Sequence, residues 1–427
     1  MFSVILRVHS TKKASAAFFS DLLSFLPFFS FSIKMIPENF AAHAAWGGNI
    51  MNKKEIAELK KQYTPDNCTV TRICGCYVDA EKEKKLEMRE AFLSLSEEEI
   101  FKYFEIFRKT LSGAIGKNLL NLDFPLKAEA EGGQQEFLLR LKNSRLKDDA
   151  LVDEFYDRII QHYYNGENYF IILIHAAYDV PGKAKDNTEM FDASDDVFEY
   201  ILCSICPVRL SKAGLCYNAE TNRIQDRIRD WIVELPERGF LFPAFNDRST
   251  DLHSMLYYSK NPEELQSDFM QEMFGCGASL TAKEQKESFH SVISDTLGDD
   301  CGYETVKSIH DHLSTIMDEH KDDPDPVLLD KQEVKRLLSI SGVEDTRLAE
   351  FDDHYDSAIG EHNALVAANI INTRKFEVKT PDLTIQVSPE CADLIETRIV
   401  DGKKCLVITV DDSVTVNGIP ARTLTHE

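Results

Sequence analysis

The segment Asn246–His253 reads NDRSTDLH and brings several side chains with chemical potential close together in the sequence. Carboxylates and an imidazole can act as general acids or bases, and an arginine can bind an anion through two parallel hydrogen bonds. The candidate ligand-contacting residues of this segment are Asp247, Arg248, Asp251 and His253. The structural alternative is an Asx turn between two strands, with Arg248 paired to a nearby carboxylate. Both interpretations stay open on the sequence.

His175 is a further candidate, because it lies at the end of the apolar run Tyr169–Ala176. Catalytic residues often lie at the ends of buried strands, although a lone histidine there is more often a core or edge residue. The apolar run GFLFPAF must be largely buried, so the polar residues after it should emerge together at a sheet edge. We therefore expect Arg248 and His253 to face a cleft shared with the end of the His175 strand and to contact an anionic or polar ligand.

The pair Cys203 and Cys206 has the C-x-x-C spacing that zinc and redox sites use. The pair lies inside the apolar run YILCSICPV, and residues three apart on an extended strand point to opposite faces. A thioredoxin-type pair would lie at a helix N-terminus instead. The pattern favours buried structural thiols, so we predict no metal and no cofactor.

Recognisable catalytic motifs are missing from the sequence. Residues 113–118 read GAIGKN, which lacks the glycine spacing and the hydroxyl residue of a phosphate-binding loop. No G-x-G-x-x-G, H-E-x-x-H or G-x-S-x-G pattern occurs. The acidic loop at residues 186–196 lacks the glycine and final glutamate of an EF-hand, and it favours a solvated loop.

The composition of the 427 residues, 43% hydrophobic and 28% charged, is typical of a globular protein with a core. The formal net charge of -24 repels phosphate backbones and anionic lipids, which disfavours a nucleic-acid or membrane-surface role. The ten cysteines are too sparse for a disulfide scaffold. These features favour reduced thiols and a cytoplasmic location.

Residues 1–50 differ from the rest of the chain. Their apolar stretch is broken by Asp21 and Pro27 and is too short for a transmembrane helix, although it resembles a secretory signal. Codons for the sequence GGNIM at residues 47–51 can contain a GGAGG ribosome-binding element just before an AUG. We therefore expect Met51 to be the first residue of a bacterial protein and residues 1–50 to be a disordered, translated leader. Secretion is the alternative.

Periodicity predicts an α+β fold with a mixed or antiparallel sheet and flanking helices. The expected parts are an α/β domain at residues 51–270, a helical segment at 271–372 with a linker near 320–328, and a small antiparallel β unit at 373–427. Capping pairs at Ser96/Glu99 and Asp330/Glu333 mark helix starts, and residues 347–372 predict one long helix or two. Strands are predicted at residues 69–79, 169–180 and 200–208, and turns at Asp401-Gly402 and Asn417-Gly418. In the first of these strands, Val70, Cys74, Cys76 and Val78 should lie on one face.

Four long stretches carry a resemblance to a known family: TPDNCTVTRICGCYVD, MFDASDDVFEYILCSICPVRLSK, GFLFPAFNDRSTDLHSMLYYSKNPEEL and NTRKFEVKTPDLTIQV. From Met51 to about Pro420 the chain resembles an uncharacterised bacterial family, found mainly in Gram-positive anaerobes and classed as domain of unknown function 4317. The resemblance implies no established activity, so it assigns no catalytic residue.

Two classes of function stay open. A non-catalytic binding or assembly protein is favoured because no catalytic motif is present, and its partner would be an unknown protein or a small polar ligand. The alternative is a hydrolase-like small-molecule enzyme that uses Asn246–His253. A nucleoid-associated protein is a second alternative, suggested by a helical middle followed by TRKF and a hairpin-rich end, but the acidic charge opposes it.

Overall fold

A computed structural model of the chain describes residues 50–421, apart from 184–188, 191–195, 278–279, 299–300, 362, 411–413 and 417–418. The expectations for residues 1–49, for most of the acidic loop at 186–196 and for the Asn417-Gly418 turn lie outside the described residues. The α-helices are α1 (Lys53–Lys60), α2 (Glu97–Thr110), α3 (Leu126–Glu129), α4 (Gln134–Asn143), α5 (Asp149–His162), α6 (Ser267–Phe274), α7 (Ala282–Leu297), α8 (Tyr303–Glu319), α9 (Lys331–Ile340), α10 (Asp345–Leu348), α11 (Phe351–Ala358) and α12 (Ala367–Ile370).

The strands divide into one large sheet and several short hairpins. They are β1 (Val70–Val78), β2 (Lys84–Ala91), β3 (Leu119–Asp123), β4 (Tyr169–Val180), β5 (Gly182–Lys183), β6 (Glu189–Met190), β7 (Asp196–Leu210), β8 (Leu215–Asn218), β9 (Arg223–Asp226), β10 (Trp231–Val233), β11 (Arg238–Phe242), β12 (Ala244–Asn246), β13 (Ser249–Asp251), β14 (Ser254–Ser259), β15 (Leu328–Leu329), β16 (Leu365–Val366), β17 (Phe376–Lys379), β18 (Thr384–Val387), β19 (Ile395–Val400), β20 (Lys403–Ile408), β21 (Val414–Val416) and β22 (Ile419–Ala421).

The large sheet has the strand order β2-β1-β4-β7-β11-β14-β3, and β10 pairs with one end of β7. Every neighbouring pair in this sheet is antiparallel. The predicted α+β class is therefore confirmed, and the sheet is antiparallel rather than mixed.

Alternate residues of the central strand β4 enter two different cores. Ile171 and Leu173 pack on what we call the first face, under α4, α5 and α6. Ile172 and Ile174 pack on the second face, with α1 and α2. Because helices cover both faces, β4 reads as a continuous apolar run instead of an alternating one. The predicted strand 169–180 is confirmed.

Strand β1 departs from its predicted pattern at one position. Cys74, Cys76 and Val78 pack on the first face as expected, but Val70 belongs to the second. The pairing of β1 with β4 shifts register between Val70 and Arg72, which indicates a bulge. A bulge adds one residue to the strand, so Val70 before it points to the opposite face from the one that simple alternation predicts.

The predicted capping pairs are confirmed at both helix starts. The Glu99 amide donates to Ser96 Oγ at 3.3 Å and the Ser96 amide donates to Glu99 Oε2 at 3.1 Å. The Asp330 and Glu333 pair forms the same reciprocal bonds before α9. Each pair satisfies amides that the first turn of a helix leaves without an intrahelical partner.

The segment predicted as one long helix or two forms three short helices instead, α10, α11 and α12. Gly360 has φ 102°, a backbone conformation that ends a helix, and Asn363 Nδ2 then donates to the Ile359 carbonyl at 2.7 Å. The chain next forms β16, which pairs with β15, so strand pairing replaces helix over these residues. Together with α7, α8 and α9 these elements enclose a third core.

Contacts join the helical segment to the rest of the chain. Asn369 Nδ2 donates to the Gly116 carbonyl at 2.9 Å. The Lys53 amide donates at 3.3 Å to the carbonyl of Pro324, inside the predicted linker. The C-terminal residues form three hairpins, and positive φ angles of 49° and 75° at Asp401 and Gly402 confirm the predicted turn between β19 and β20. The division into domains at residues 270 and 372 stays a prediction.

Candidate functional site

The Asn246–His253 segment forms a tight hairpin. Strands β12 and β13 pair, and the two residues between them, Asp247 and Arg248, have φ values of 49° and 57°. A turn with positive φ at both central residues best matches the twist of the two strands in a two-residue hairpin. Glycine or asparagine usually occupies these positions, and arginine is uncommon there. The predicted turn between two strands is therefore present, with backbone strain at Arg248.

Arg248 is held by a carboxylate from α1. Its Nε and Nη2 atoms donate to Glu58 Oε2 at 3.1 Å and to Glu58 Oε1 at 2.9 Å, and Nη2 also donates to the Pro181 carbonyl at 3.2 Å. Tyr178 donates its hydroxyl to the same carboxylate at 2.8 Å. The hydrogen bonds to Glu58 raise the pKa of Arg248, so the guanidinium stays charged. An anionic ligand would have to displace Glu58 to use this fork.

The start of α1 determines where Glu58 lies. Asn52 caps the helix by accepting from the Glu55 amide, and Glu55 Oε2 accepts from the Asn52 amide at 2.8 Å. Glu55 also accepts from the backbone amides of Asp247 and Arg248. Burial raises the pKa of Glu55. The strained turn is therefore bonded to α1 through both its backbone and the Arg248 side chain.

The candidates Asp251 and His253 also have partners within the fold. Asp251 Oδ2 accepts from Asn246 Nδ2 and from Ser254 Oγ, each at 2.7 Å, which closes the hairpin. His253 has a side chain that is 77% exposed, and its Nδ1 lies 2.7 Å from Glu129 Oε1. That hydrogen bond and the carboxylate charge raise the pKa of His253.

His175 occupies a different environment. It is 1% exposed, and its Nδ1 lies 2.8 Å from the hydroxyl of Thr71, the residue at the β1 bulge. The Thr71 hydroxyl also lies 3.1 Å from the His175 carbonyl, to which it can donate. Nε2 is buried and has no hydrogen-bond partner among the described residues. Burial lowers the pKa of His175 to about 4, so the ring is neutral at pH 7.

Arg248 and His175 do not face one shared cleft. Arg248 bonds to α1, whose residues Ile56 and Leu59 pack on the second face. His175 lies two residues after Leu173 in β4, and residues two apart on a strand point to the same side, so His175 projects from the first face. Arg248 and His175 therefore lie on opposite sides of the sheet. Arg248 does reach the end of the His175 strand, at Tyr178 and Pro181, and the role of all five candidates as ligand contacts stays a prediction.

The two C-x-x-C thiols are separated in the same way. Cys203 packs on the first face and Cys206 on the second. Burial raises the pKa of both thiols, which disfavours the thiolate that metals and disulfide exchange require. Over the described part of the chain, no group of three or more His, Cys, Asp and Glu side chains could hold a metal ion.

One exposed apolar surface was not singled out by sequence reasoning. It lies on residues 212–235, which comprise the β8–β9 hairpin, β10 and their connections, and which we call the apolar arm. Its large apolar residues, with exposed fractions from 42% to 78%, are Leu215, Tyr217, Ile224, Ile228, Trp231, Ile232, Val233 and Leu235. Alternation of polar and apolar residues predicts strands here, but it does not show that no other layer covers them.

Local bonds shape the apolar arm. Asn218 Oδ1 accepts from the amides of Glu220 and Thr221 at 2.9 Å and 3.1 Å, which forms the loop of the β8–β9 hairpin. At the base of the arm, the Ser211 amide donates to the Asp230 carbonyl at 2.9 Å. A two-stranded hairpin is marginally stable by itself in water. The arm therefore exposes large apolar side chains on a hairpin that has little stabilisation of its own.

The fold and these surfaces define an α+β protein with one large antiparallel sheet between helices, several short hairpins and an exposed apolar arm. A family model described as Domain of unknown function (DUF4317) matches residues 51–419. The chain belongs to this family, as the resemblance of its long stretches indicated. No curated protein matches the chain. Of the helices that the structure describes, none combines the length and apolar character needed to cross a membrane.

Proposed function

We propose that the chain is a cytoplasmic, non-catalytic assembly protein that binds a protein partner through the apolar arm. The observation that carries this proposal is the run of eight large apolar side chains exposed between residues 215 and 235. Large exposed apolar surfaces are uncommon on monomeric proteins and mark interaction sites.

The size of the patch supports a protein partner over a small ligand. At roughly 100 Å² of exposed surface each, the eight side chains present on the order of 800 Å² in total, spread over a hairpin and a strand, which is an extended surface of the kind that protein partners cover. Trp231 and Tyr217 are of the residue types that dominate binding energy at such interfaces. Small-molecule sites are concave instead, whereas this arm lies on the outside of the fold.

The hydrolase-like enzyme that would use Asn246–His253 is the alternative proposal. It is less well supported, because Arg248 is bonded to Glu58 and Asp251 closes its own hairpin. A nucleoid-associated role is a second alternative, and the net charge of -24 opposes it. A small polar metabolite that purifies with the chain would favour the enzyme, and salt-sensitive DNA binding would favour the nucleoid role.

The test compares the tagged chain in native lysates as wild type, as Ile232→Asp and as Leu126→Asp. Leu126 is 86% exposed and lies outside the apolar arm, so it is a matched apolar-to-acidic control. On gel filtration, we expect the wild type and Leu126→Asp to elute as assemblies larger than one chain, and Ile232→Asp to elute as a single chain. Elution of the wild type as a single chain, or of all three as the same assembly, would overturn the proposal.

A further inference from the structure

The occupant of the apolar arm can be specified further. We infer that it is a second copy of this chain, joined along the outer edge of β10 in a two-fold symmetric dimer. This inference rests on the proposed function of the arm, and three observations support it: a free strand edge, the electrical neutrality of the arm and the apolar side chains of β10.

The first observation is the edge of β10. Among the described strands β10 pairs with β7 alone, with Trp231 opposite Leu210 and Val233 opposite Val208. Strand β11 also pairs with β7, but β14 covers its other side. The outer edge of β10 therefore carries backbone groups available to another strand, beside side chains that are apolar. Exposed apolar edges of this kind are templates for pairing with another chain.

Strand pairing at β10 is compatible with two-fold symmetry. When two identical strands pair antiparallel, the rotation that exchanges them passes through the middle of the pair. In β10 the middle residue is Ile232, so Ile232 would lie opposite the partner's Ile232. Trp231 would then lie opposite the partner's Val233, which makes an aromatic and β-branched cross-strand pair.

The second observation is charge. Residues 212–235 contain four basic and four acidic residues, which cancel: Lys212, Arg223, Arg227 and Arg229 against Glu220, Asp226, Asp230 and Glu234. The whole formal net charge of -24 therefore belongs to the rest of the chain. Like charges repel two copies over most of their surface, and a neutral arm is where they can approach closely.

The third observation is the apolar character of β10. Its three residues Trp231, Ile232 and Val233 are 57%, 46% and 42% exposed, and antiparallel pairing with the same strand of a second copy places each of them beside an apolar cross-strand neighbour. A second copy thus supplies an apolar surface of matching size and charge without any further partner.

Sedimentation velocity of the purified full chain at several concentrations tests the inference. We expect the wild type and Leu126→Asp to be dimers at micromolar concentration, and Ile232→Asp and Trp231→Asp to be monomers with unchanged circular dichroism. Monomeric wild type would overturn the inference, as would Ile232→Asp and Trp231→Asp dimers. If Ile232→Asp and Trp231→Asp both lose their native circular dichroism, the decision passes to cross-linking.

Cross-linking uses the milder substitution Ile232→Cys and tests the geometry directly. Opposed residues of antiparallel strands have Cα atoms about 4.5–5.5 Å apart, which is within the range that a disulfide bridges. The background is Cys301→Ser, because Cys301 is the exposed native thiol among the described residues. We expect a covalent dimer from Ile232→Cys under mild oxidation and none from Leu126→Cys. Equal yields from the two variants, or no dimer from Ile232→Cys, would overturn the β10 pairing.

The two proposals fail in different ways. A purified chain that stays monomeric, together with a lysate assembly that Ile232→Asp abolishes, would exclude the second copy and leave another protein as the occupant of the arm. A lysate assembly that Ile232→Asp does not change would overturn the proposed function itself, and the inference with it.

Discussion

Arg248 and Glu58 lie 190 positions apart in the chain, yet three hydrogen bonds join the guanidinium of one to the carboxylate of the other. The pair is partly shielded, with side-chain exposures of 16% and 21%. Through it, a strained hairpin turn is bonded to the first helix of the described fold. This relationship gives Arg248 a structural role that needs no ligand.

We therefore predict that Arg248→Ala lowers the free energy of unfolding by about 1–3 kcal/mol, measured by urea denaturation. Stability is lost because the carboxylate of Glu58 keeps its hydrogen bond from Tyr178 but no longer has a charged partner. Arg248→Gly is the matched control: it removes the same bonds but relieves the positive φ of 57°, so it should cost roughly 1 kcal/mol less. If Arg248→Ala leaves the stability unchanged but abolishes retention of a ligand, Arg248 is a ligand contact instead.

A second prediction concerns pH and His175. Its pKa in the folded protein is about 4, below the ordinary 6.5, so between these values the unfolded chain binds a proton that the folded chain does not. Stability therefore rises with pH through this window: the contribution is fully present above pH 6.5 and is lost as pH falls towards 4. A shift of this size corresponds to a loss of about 3 kcal/mol.

The measurement is urea denaturation of the wild type and of His175→Asn between pH 4.5 and 7.5. Asparagine cannot titrate here, and its amide can keep a hydrogen bond to Thr71 in place of Nδ1. We expect the difference in stability between the two proteins to change with pH in favour of the wild type at pH 7. Parallel curves would show that His175 does not titrate on unfolding.

A third prediction concerns the buried thiols. Because Cys203 and Cys206 lie on opposite faces of the sheet with raised pKa values, a thiol reagent should modify them only after unfolding. The exposed Cys301 should react in the native protein and serves as the internal control. Peptide mass mapping after labelling gives the result. Elemental analysis that found about one zinc per chain, lost in Cys203→Ser or Cys206→Ser, would contradict this interpretation.

A fourth prediction concerns the packing of α2 on the sheet at Gly239. A Cβ atom there would lie 2.4 Å from the Cys203 carbonyl oxygen and 2.5 Å from Thr110 Cγ2. The first contact is with backbone inside the sheet, so it cannot be relieved by a side-chain rotation. We expect Gly239→Ala to lower the free energy of unfolding by about 1–3 kcal/mol.

Gly166→Ala is the control for that substitution, because no heavy atom lies within 4 Å of a Cβ placed at Gly166. Thermal and urea unfolding of the two variants should differ clearly, with Gly166→Ala close to the wild type. Equal stability of the two variants would mean that α2 and the strand of Cys203 move apart without cost.

Much of the secondary structure could be predicted because its signals are local. The capping pair Ser96/Glu99 and the apolar run 169–180 depend on residues a few positions apart, and the structure has a helix at 97–110 and a strand at 169–180. Residues 347–372 were harder, because the helical pattern is interrupted by pairing between Leu365–Val366 and the distant Leu328–Leu329. A helix is favoured by its own residues, whereas a strand needs a partner that the local pattern does not show.

The sequence by itself determined the α+β class, the family, the apolar strands and the polar turn after GFLFPAF. Only the tertiary structure decided that Glu58 holds Arg248, that His175 faces the other side of the sheet, and that the apolar arm has no covering layer among the described residues. The physical reason is range. Periodicity and capping act over a few residues, but salt-bridge partners and the burial of a strand depend on which distant elements pack against it, and one bulge at Thr71 is enough to change a side chain's face.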